Sequence, residues 1–138
     1  MDPHNQPVFC CAILRDRAGR LVLERRPLDD HDAPGRLTCF GGRREPGESP
    51  EQCLRRELRE ELGFELAAFE FVLNLATPAG PAWFFEAAGP EEGTVAAIEP
   101  GYDVAWIAWD DIIVETLADW HRAALRGWRA GDRSASTD

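Results

Sequence analysis

Apolar residues recur along this chain at two periods, and the changes of period mark its elements. PVFCCAILR (residues 7–15) and RLVLERR (20–26) are β-rich runs on either side of Asp16-Arg17-Ala18-Gly19, a cluster of turn formers, and they read as a hairpin. In the second run Leu21 and Leu23 alternate with Val22 and Glu24, leaving Arg25 and Arg26 at its exit. Pro27 to Arg36, with Asp29, Asp30, His31, Asp32, Pro34 and Gly35, reads as a solvated loop, and LTCF (37–40) as a short strand running into Gly41-Gly42. LAAFEFVLNL (66–75) alternates over part of its length and predicts a strand. Pro78-Ala79-Gly80-Pro81 breaks it, and AWFFEA (82–87) makes the next strand. A loop-like stretch over 88–103 precedes a last strand, VAWIAW (104–109).

The helical period appears twice. Leu54, Leu58 and Leu62 form an i, i+4, i+8 stripe, which calls for a helix packed on a sheet. Its ends are well marked. Ser49 suits the N-cap, Pro50 the first helical position, Gln52 completes a capping box, and Gly63 is the left-handed residue that stops the helix. A second helix is expected from Leu117 to Ala130, with Leu117, Trp120, His121, Ala124, Leu125 and Trp128 on one side. On such a stripe His121 reads as a satisfied interface residue rather than a catalyst. No internal repeat is visible. One domain over residues 1–130 is expected, with 131–138 (GDRSASTD) a disordered tail.

The first helix carries the chemistry. At about 100° per residue, Glu57, Glu60 and Glu61 project within a sector of roughly 100°. Like charges at i, i+3 and i+4 repel, so a fold that gathers them requires something to neutralise them. A hard cation such as Mg²⁺ does so, taking carboxylate oxygens and leaving room for substrate phosphates.

Gly42, then Glu48 after five residues, then Arg56-Glu57-Leu58-Arg59-Glu60-Glu61-Leu62-Gly63-Phe64 after seven more, resembles the Nudix box of the Nudix hydrolases at every position. The resemblance implies an α/β/α sandwich with a mixed central sheet, the box helix on one face and the C-terminal helix on the other. It implies Mg²⁺ or Mn²⁺ held by Glu57, Glu60, Glu61 and the Gly41 carbonyl, with Glu57 a ligand or a base. Glu48 and Arg56 would link the loop of the box to its helix, and Gly42 and Gly63 would shape it. The family often draws a further acid from a loop ahead of the last strand. Glu99 stands there, with Glu91 and Glu92 as alternatives. Many members carry Phe-Pro-Gly-Gly at the entrance, where this chain has Cys39-Phe40-Gly41-Gly42.

The implied activity is hydrolysis of a phosphoanhydride in a nucleoside diphosphate linked to another group, with a nucleoside triphosphate preferred. A nucleotide sugar, ADP-ribose or a dinucleoside polyphosphate are the alternatives within the family. A non-catalytic nucleotide sensor is the rival from another class, disfavoured because no glutamate of the box is lost. Trp83, Phe84, Phe85, Tyr102, Trp106 and Trp109 are candidates for base stacking, though strand packing accounts for most of them.

Composition narrows the setting. The net charge of −10 argues against binding to the nucleic-acid backbone or an anionic membrane, so a small-molecule nucleotide is the expected partner. No apolar run approaches the ~18 residues of a membrane span, and a cytoplasmic protein is expected. Monomer and homodimer both stay open. Cys10, Cys11, Cys39 and Cys53 contain no zinc-type spacing and read as reduced and structural, with Cys10 and Cys11 on opposite faces of a strand and Cys53 packed beneath the carboxylates.

Overall fold

The computed structural model describes residues 6–137. The expected hairpin forms from β1 (Phe9–Arg15) and β2 (Leu21–Arg25). Asp16 closes it, its carboxylate accepting the Ala18 and Arg20 N–H groups. The single strand expected over 37–40 is divided at Cys39. β3 (Leu37–Thr38) pairs with β2, whereas β4 (Phe40–Arg43) crosses to pair with β1, setting Cys11 opposite Gly41 and Cys10 opposite Gly42. Gly41 has φ 148°, and a Cβ there would collide with the Cys10 carbonyl, so a side chain would force β1 and β4 apart.

Helix α1 (Pro50–Leu62) begins and ends as its sequence dictates. Ser49 Oγ accepts the Gln52 N–H, Gln52 Oε1 accepts the Ser49 N–H, and Gly63 turns left-handed at φ 62°. The next hairpin, β5 (Phe69–Thr77) and β6 (Gly80–Ala88), is longer than expected: Gly80 and Pro81 belong to the strand and leave Pro78-Ala79 as the turn. β7 spans Asp103–Ile107, and two 3-10 turns (Trp109–Asp111 and Val114–Thr116) lead to α2 (Asp119–Arg129).

The sheet order is β3-β2-β1-β6-β5-β8, with β4 also paired to β1 and β7 to β2. β1–β6 and β5–β8 are parallel and the other pairs antiparallel, so the sheet is mixed. One face packs Cys10, Ala12, Leu14, Val22 and Phe40 against Cys53, Leu54, Leu58 and Leu62 of α1. The other packs Cys11, Ile13, Leu21, Leu23 and Phe84 against Leu117, Ala124 and Leu125 at and before α2. Two helices on opposite faces make the α/β/α sandwich, and adjacent Cys10 and Cys11 divide between its two cores.

The tail departs from expectation. Ser134–Ser136 forms β8, parallel to β5, with the Asn74 N–H bonded to the Arg133 carbonyl and the Thr137 N–H to the Ala76 carbonyl. Otherwise β5 would present an unpaired edge, and the backbone bonds gained there order a segment with little β propensity of its own. The rest of that expectation, Asp138, lies outside the described residues. No helix among the described residues is long and apolar enough to cross a membrane.

Candidate active site

The leucine stripe of α1 fixes where its acids go. With Leu54, Leu58 and Leu62 buried on the sheet, Glu57, Glu60 and Glu61 are left at the rim, where they line a cavity of about 230 Å³ with Glu24, Arg26, Ala97, Glu99 and Tyr102. Glu99 reaches it because its loop is tied to the helix end: the Ile98 N–H donates to the Glu61 carbonyl at 3.0 Å. The alternatives are spent elsewhere. Glu91 accepts the Arg17 N–H and Glu92 pairs with Arg20, both at the β1–β2 turn.

Arg56 organises the loop of the box. Its Nε and Nη2 grip both oxygens of Glu48 at 2.6 and 2.9 Å, Nη2 also donates to the Arg43 carbonyl, and Nη1 reaches Glu57 at 2.9 Å and Glu60 at 3.2 Å. A guanidinium suits this because its planar fork meets two oxygens at once. Its hydrogen bonds hold the Glu48 carboxyl at about 2, well below the usual carboxylate range. Glu48 also accepts the Glu45 N–H, and together these bonds pin the chain between β4 and α1. Cys53 lies beneath, its Sγ 3.7 Å from the Gly42 carbonyl.

For Glu24, Glu57 and Glu61, burial outweighs the arginines nearby. Glu61 accepts the Gly41 N–H at 3.0 Å, yet burial, with Glu24 and Glu57 nearby, pushes its carboxyl up to about 9. Glu57 is raised too, by burial, against the pull of Arg56. Burial pushes Glu24 up to about 7 despite Arg26 nearby. Gly42 is a necessary hollow, since a Cβ on it would lie 2.5 Å from the Glu57 carboxylate. Among the described residues no three acidic, histidine or cysteine side chains already converge at coordination spacing. Glu57 and Glu60 turn to Arg56, and Glu61 to Gly41. The donor set still fits a hard divalent ion: five carboxylates around one small cavity, three of them disfavoured as free anions.

A second cavity of about 540 Å³ opens on the α2 side of the sheet, lined in part by Phe9, Phe84, Trp120, His121, Thr38 and the Gly41-Gly42 backbone. Arg26 lines both cavities. Its Nε and the Thr38 hydroxyl are buried without a hydrogen-bond partner among the described residues. His121 Nδ1 accepts the Cys39 N–H at 3.0 Å, and burial lowers the ring to about 4. It is therefore the satisfied, neutral interface residue that its stripe suggested.

The structure brings the four acids singled out from the sequence, Glu57, Glu60, Glu61 and Glu99, to one cavity, with Gly41, Gly42, Glu48, Arg56 and Gly63 nearby. Sequence reasoning passed over Glu24. The alternation of Leu21 and Leu23 with Val22 and Glu24 was the available signal, since it sets Glu24 on the α1 face with Val22. Of the six aromatic candidates, Phe84 borders the larger cavity and Tyr102 the carboxylates, its hydroxyl donating to Asp30. Trp83 packs on Phe71, and Trp106 donates to the Pro90 carbonyl. Phe9 and Trp120, paired edge to face at 5.2 Å, are the rings reasoning from sequence missed. Phe40, standing where many Nudix proteins have proline, is fully buried against α1.

Comparison with known proteins agrees with this fold. The chain is 44% identical over 63 residues to the CTP pyrophosphohydrolase of Escherichia coli strain K12, covering 46% of each chain. It is 38% identical over 66 residues to the NAD-capped RNA hydrolase NudC of Stutzerimonas stutzeri strain A1501, covering 48% of this chain and 23% of that one. The match therefore spans less than half the length of either curated relative. The crystal structure of a MutT NUDIX hydrolase from Burkholderia pseudomallei superposes with a TM-score of 0.73 at 26% identity, over 88% of this chain and 96% of that one. The NUDIX domain profile matches residues 4–127, most of the chain, and the protein therefore belongs to the NUDIX family.

Proposed function

We propose that this protein hydrolyses a phosphoanhydride bond of a nucleoside diphosphate linked to another group, with a nucleoside triphosphate as the preferred form. The observation that supports it is the placement of Glu24, Glu57, Glu60, Glu61 and Glu99 around one small cavity, with Arg26 leading from it to a larger cavity lined by rings. The larger space is of a size to take a nucleoside, with Phe84 and Trp120 as apolar surface and Thr38 and His121 as polar contacts. Phosphates would then run past Arg26 toward the carboxylates.

Glu57, Glu60 and Glu61, with the Gly41 carbonyl, would hold Mg²⁺ or Mn²⁺. When bound, such an ion neutralises charge on the phosphate oxygens and lowers the pKa of water. The chain's own groups do the remaining work. Arg56 holds Glu57 and fixes the loop, Gly42 leaves the space that Glu57 fills, and Glu99, which lines the same cavity, would accept a proton from water. Gly63 ends α1 so that the Ile98 N–H can take the Glu61 carbonyl and hold the Glu99 loop in place.

The 44% identical relative acts on CTP by its name, which supports the triphosphate. A net charge of −10 argues for a small nucleotide over a polynucleotide. The test is a panel with Mg²⁺ containing CTP and the other nucleoside triphosphates, NAD, ADP-ribose, a nucleotide sugar and a dinucleoside polyphosphate, with products separated by chromatography. Fastest release of a nucleoside monophosphate and pyrophosphate from a triphosphate is expected. Faster turnover of ADP-ribose or NAD would move the assignment to another branch.

A further inference from the structure

Strand β2 carries a carboxylate that the box helix does not explain. Glu24 shares the α1 face of the sheet with Val22, is only 6% exposed, and lines the same cavity as Glu57, Glu60 and Glu61. Among the described residues no hydrogen-bond donor reaches its carboxylate. Its nearest arginine in sequence, Arg26, pairs instead with Asp30 at 3.4 Å. A largely buried acid with neither hydrogen bond nor ion pair is costly. An apolar residue would have continued the Leu21-Val22-Leu23 run and packed without that penalty. β2 is flanked by β3 and β7, so Glu24, opposite Thr38 on one side and Val104 on the other, has no outward route to solvent along the sheet. Its open direction is the cavity.

We propose that Glu24 is a ligand of the divalent cation, contributed from the sheet and facing those of α1. The inference rests on the metal-dependent reading above and adds to it a residue outside the box. Holding an ion between β2 and α1 ties cation affinity to the packing of the helix on this strand. It also accounts for a buried, unpartnered acid at this one point of the strand, because a hard cation accepts several oxygen ligands and compensates them together. A merely structural acid, kept protonated, would make a different prediction: glutamine would replace it without loss.

The test measures Mn²⁺ binding to the full chain by the electron paramagnetic resonance of free Mn²⁺, a readout independent of turnover. Glu24→Gln should weaken the affinity at least tenfold while leaving circular dichroism unchanged, and should shrink the rise in Tm that Mg²⁺ gives. Glu91→Gln, at the distant turn, should bind as the wild type does. Binding by Glu24→Gln within twofold of wild type would overturn the proposal and leave the metal-dependent reading standing. Failure of the wild type itself to bind Mn²⁺ would overturn both. If Glu24→Gln does not fold, Glu24→Asp keeps the charge and withdraws the carboxylate by one methylene: weaker binding supports the assignment, and unchanged binding contradicts it.

Discussion

Replacing Arg56 by alanine separates support from chemistry. The side chain is 21% exposed and grips Glu48, 12% exposed, through two hydrogen bonds, while also reaching the Arg43 carbonyl, Glu57 and Glu60. Removing one partner of a buried pair costs about 3–5 kcal/mol, and discounting for the partial exposure of both groups leaves about 2–3 kcal/mol. With an unfolding entropy of about 2.1 cal/mol/K per residue, a chain of this size loses roughly 3.5 °C of Tm per kcal/mol, so a fall of about 7–10 °C is expected. Arg56→Lys should recover little, because an ammonium cannot meet both Glu48 oxygens in a planar fork. The double variant Glu48→Ala/Arg56→Ala removes the stranded acid together with its partner. It should fall short of the sum of the single losses by about 1–2 kcal/mol. Thermal unfolding beside kinetics decides the matter. An unchanged Tm with activity gone would mean that Arg56 acts on the substrate, and strictly additive losses would mean that the pair is not coupled.

Other outcomes follow from the same geometry. Glu60→Gln and Glu61→Gln should each keep the fold and lower turnover at least about a hundredfold at saturating Mg²⁺, and near wild-type rates in both would remove them as ligands. Glu99→Gln should depress turnover more than substrate affinity and flatten the alkaline rise of the pH–rate profile, with Glu91→Gln and Glu92→Gln almost silent; the reverse pattern would move the further acid to the Gly89-Pro90-Glu91-Glu92-Gly93 turn. Gly42→Ala should cost activity far more than Tm, since φ there suits any residue while the new methyl displaces the Glu57 carboxylate; equal losses would contradict a local effect. His121, held at about 4 against an ordinary 6.5, contributes stability that is fully present above 6.5 and is lost as pH falls toward 4. Denaturant unfolding across that window should show the decline in the wild type and a shallower one in His121→Gln.

What the sequence discloses depends on whether the cause is local. The boundaries of α1 are written in Ser49, Pro50, Gln52 and Gly63, each acting through its own backbone, so helix and carboxylate face could be read together. The division of residues 37–43 into two strands could not, because Gly41-Gly42 looks like a loop until β1 approaches closely enough to pair with it. Ser134–Ser136 is a strand only because β5 offers an edge. Glu24 carries the same lesson for function: its alternation with Leu23 gives its face, but its burial comes from β3 and β7, which are distant in sequence. The nucleoside-sized cavity likewise joins Phe9 to Trp120 across the chain's whole length, and neither ring has a local signature of that role.

Metal-dependent hydrolysis is measured most directly on CTP with the purified chain, followed by chromatography with Mg²⁺ present and again after chelation. Release of CMP and pyrophosphate is expected with Mg²⁺, with loss of that release on chelation and its return when Mg²⁺ or Mn²⁺ is restored. Hydrolysis that continues unchanged without a divalent ion, or no turnover of CTP or of any other nucleoside diphosphate derivative with either metal, would contradict it.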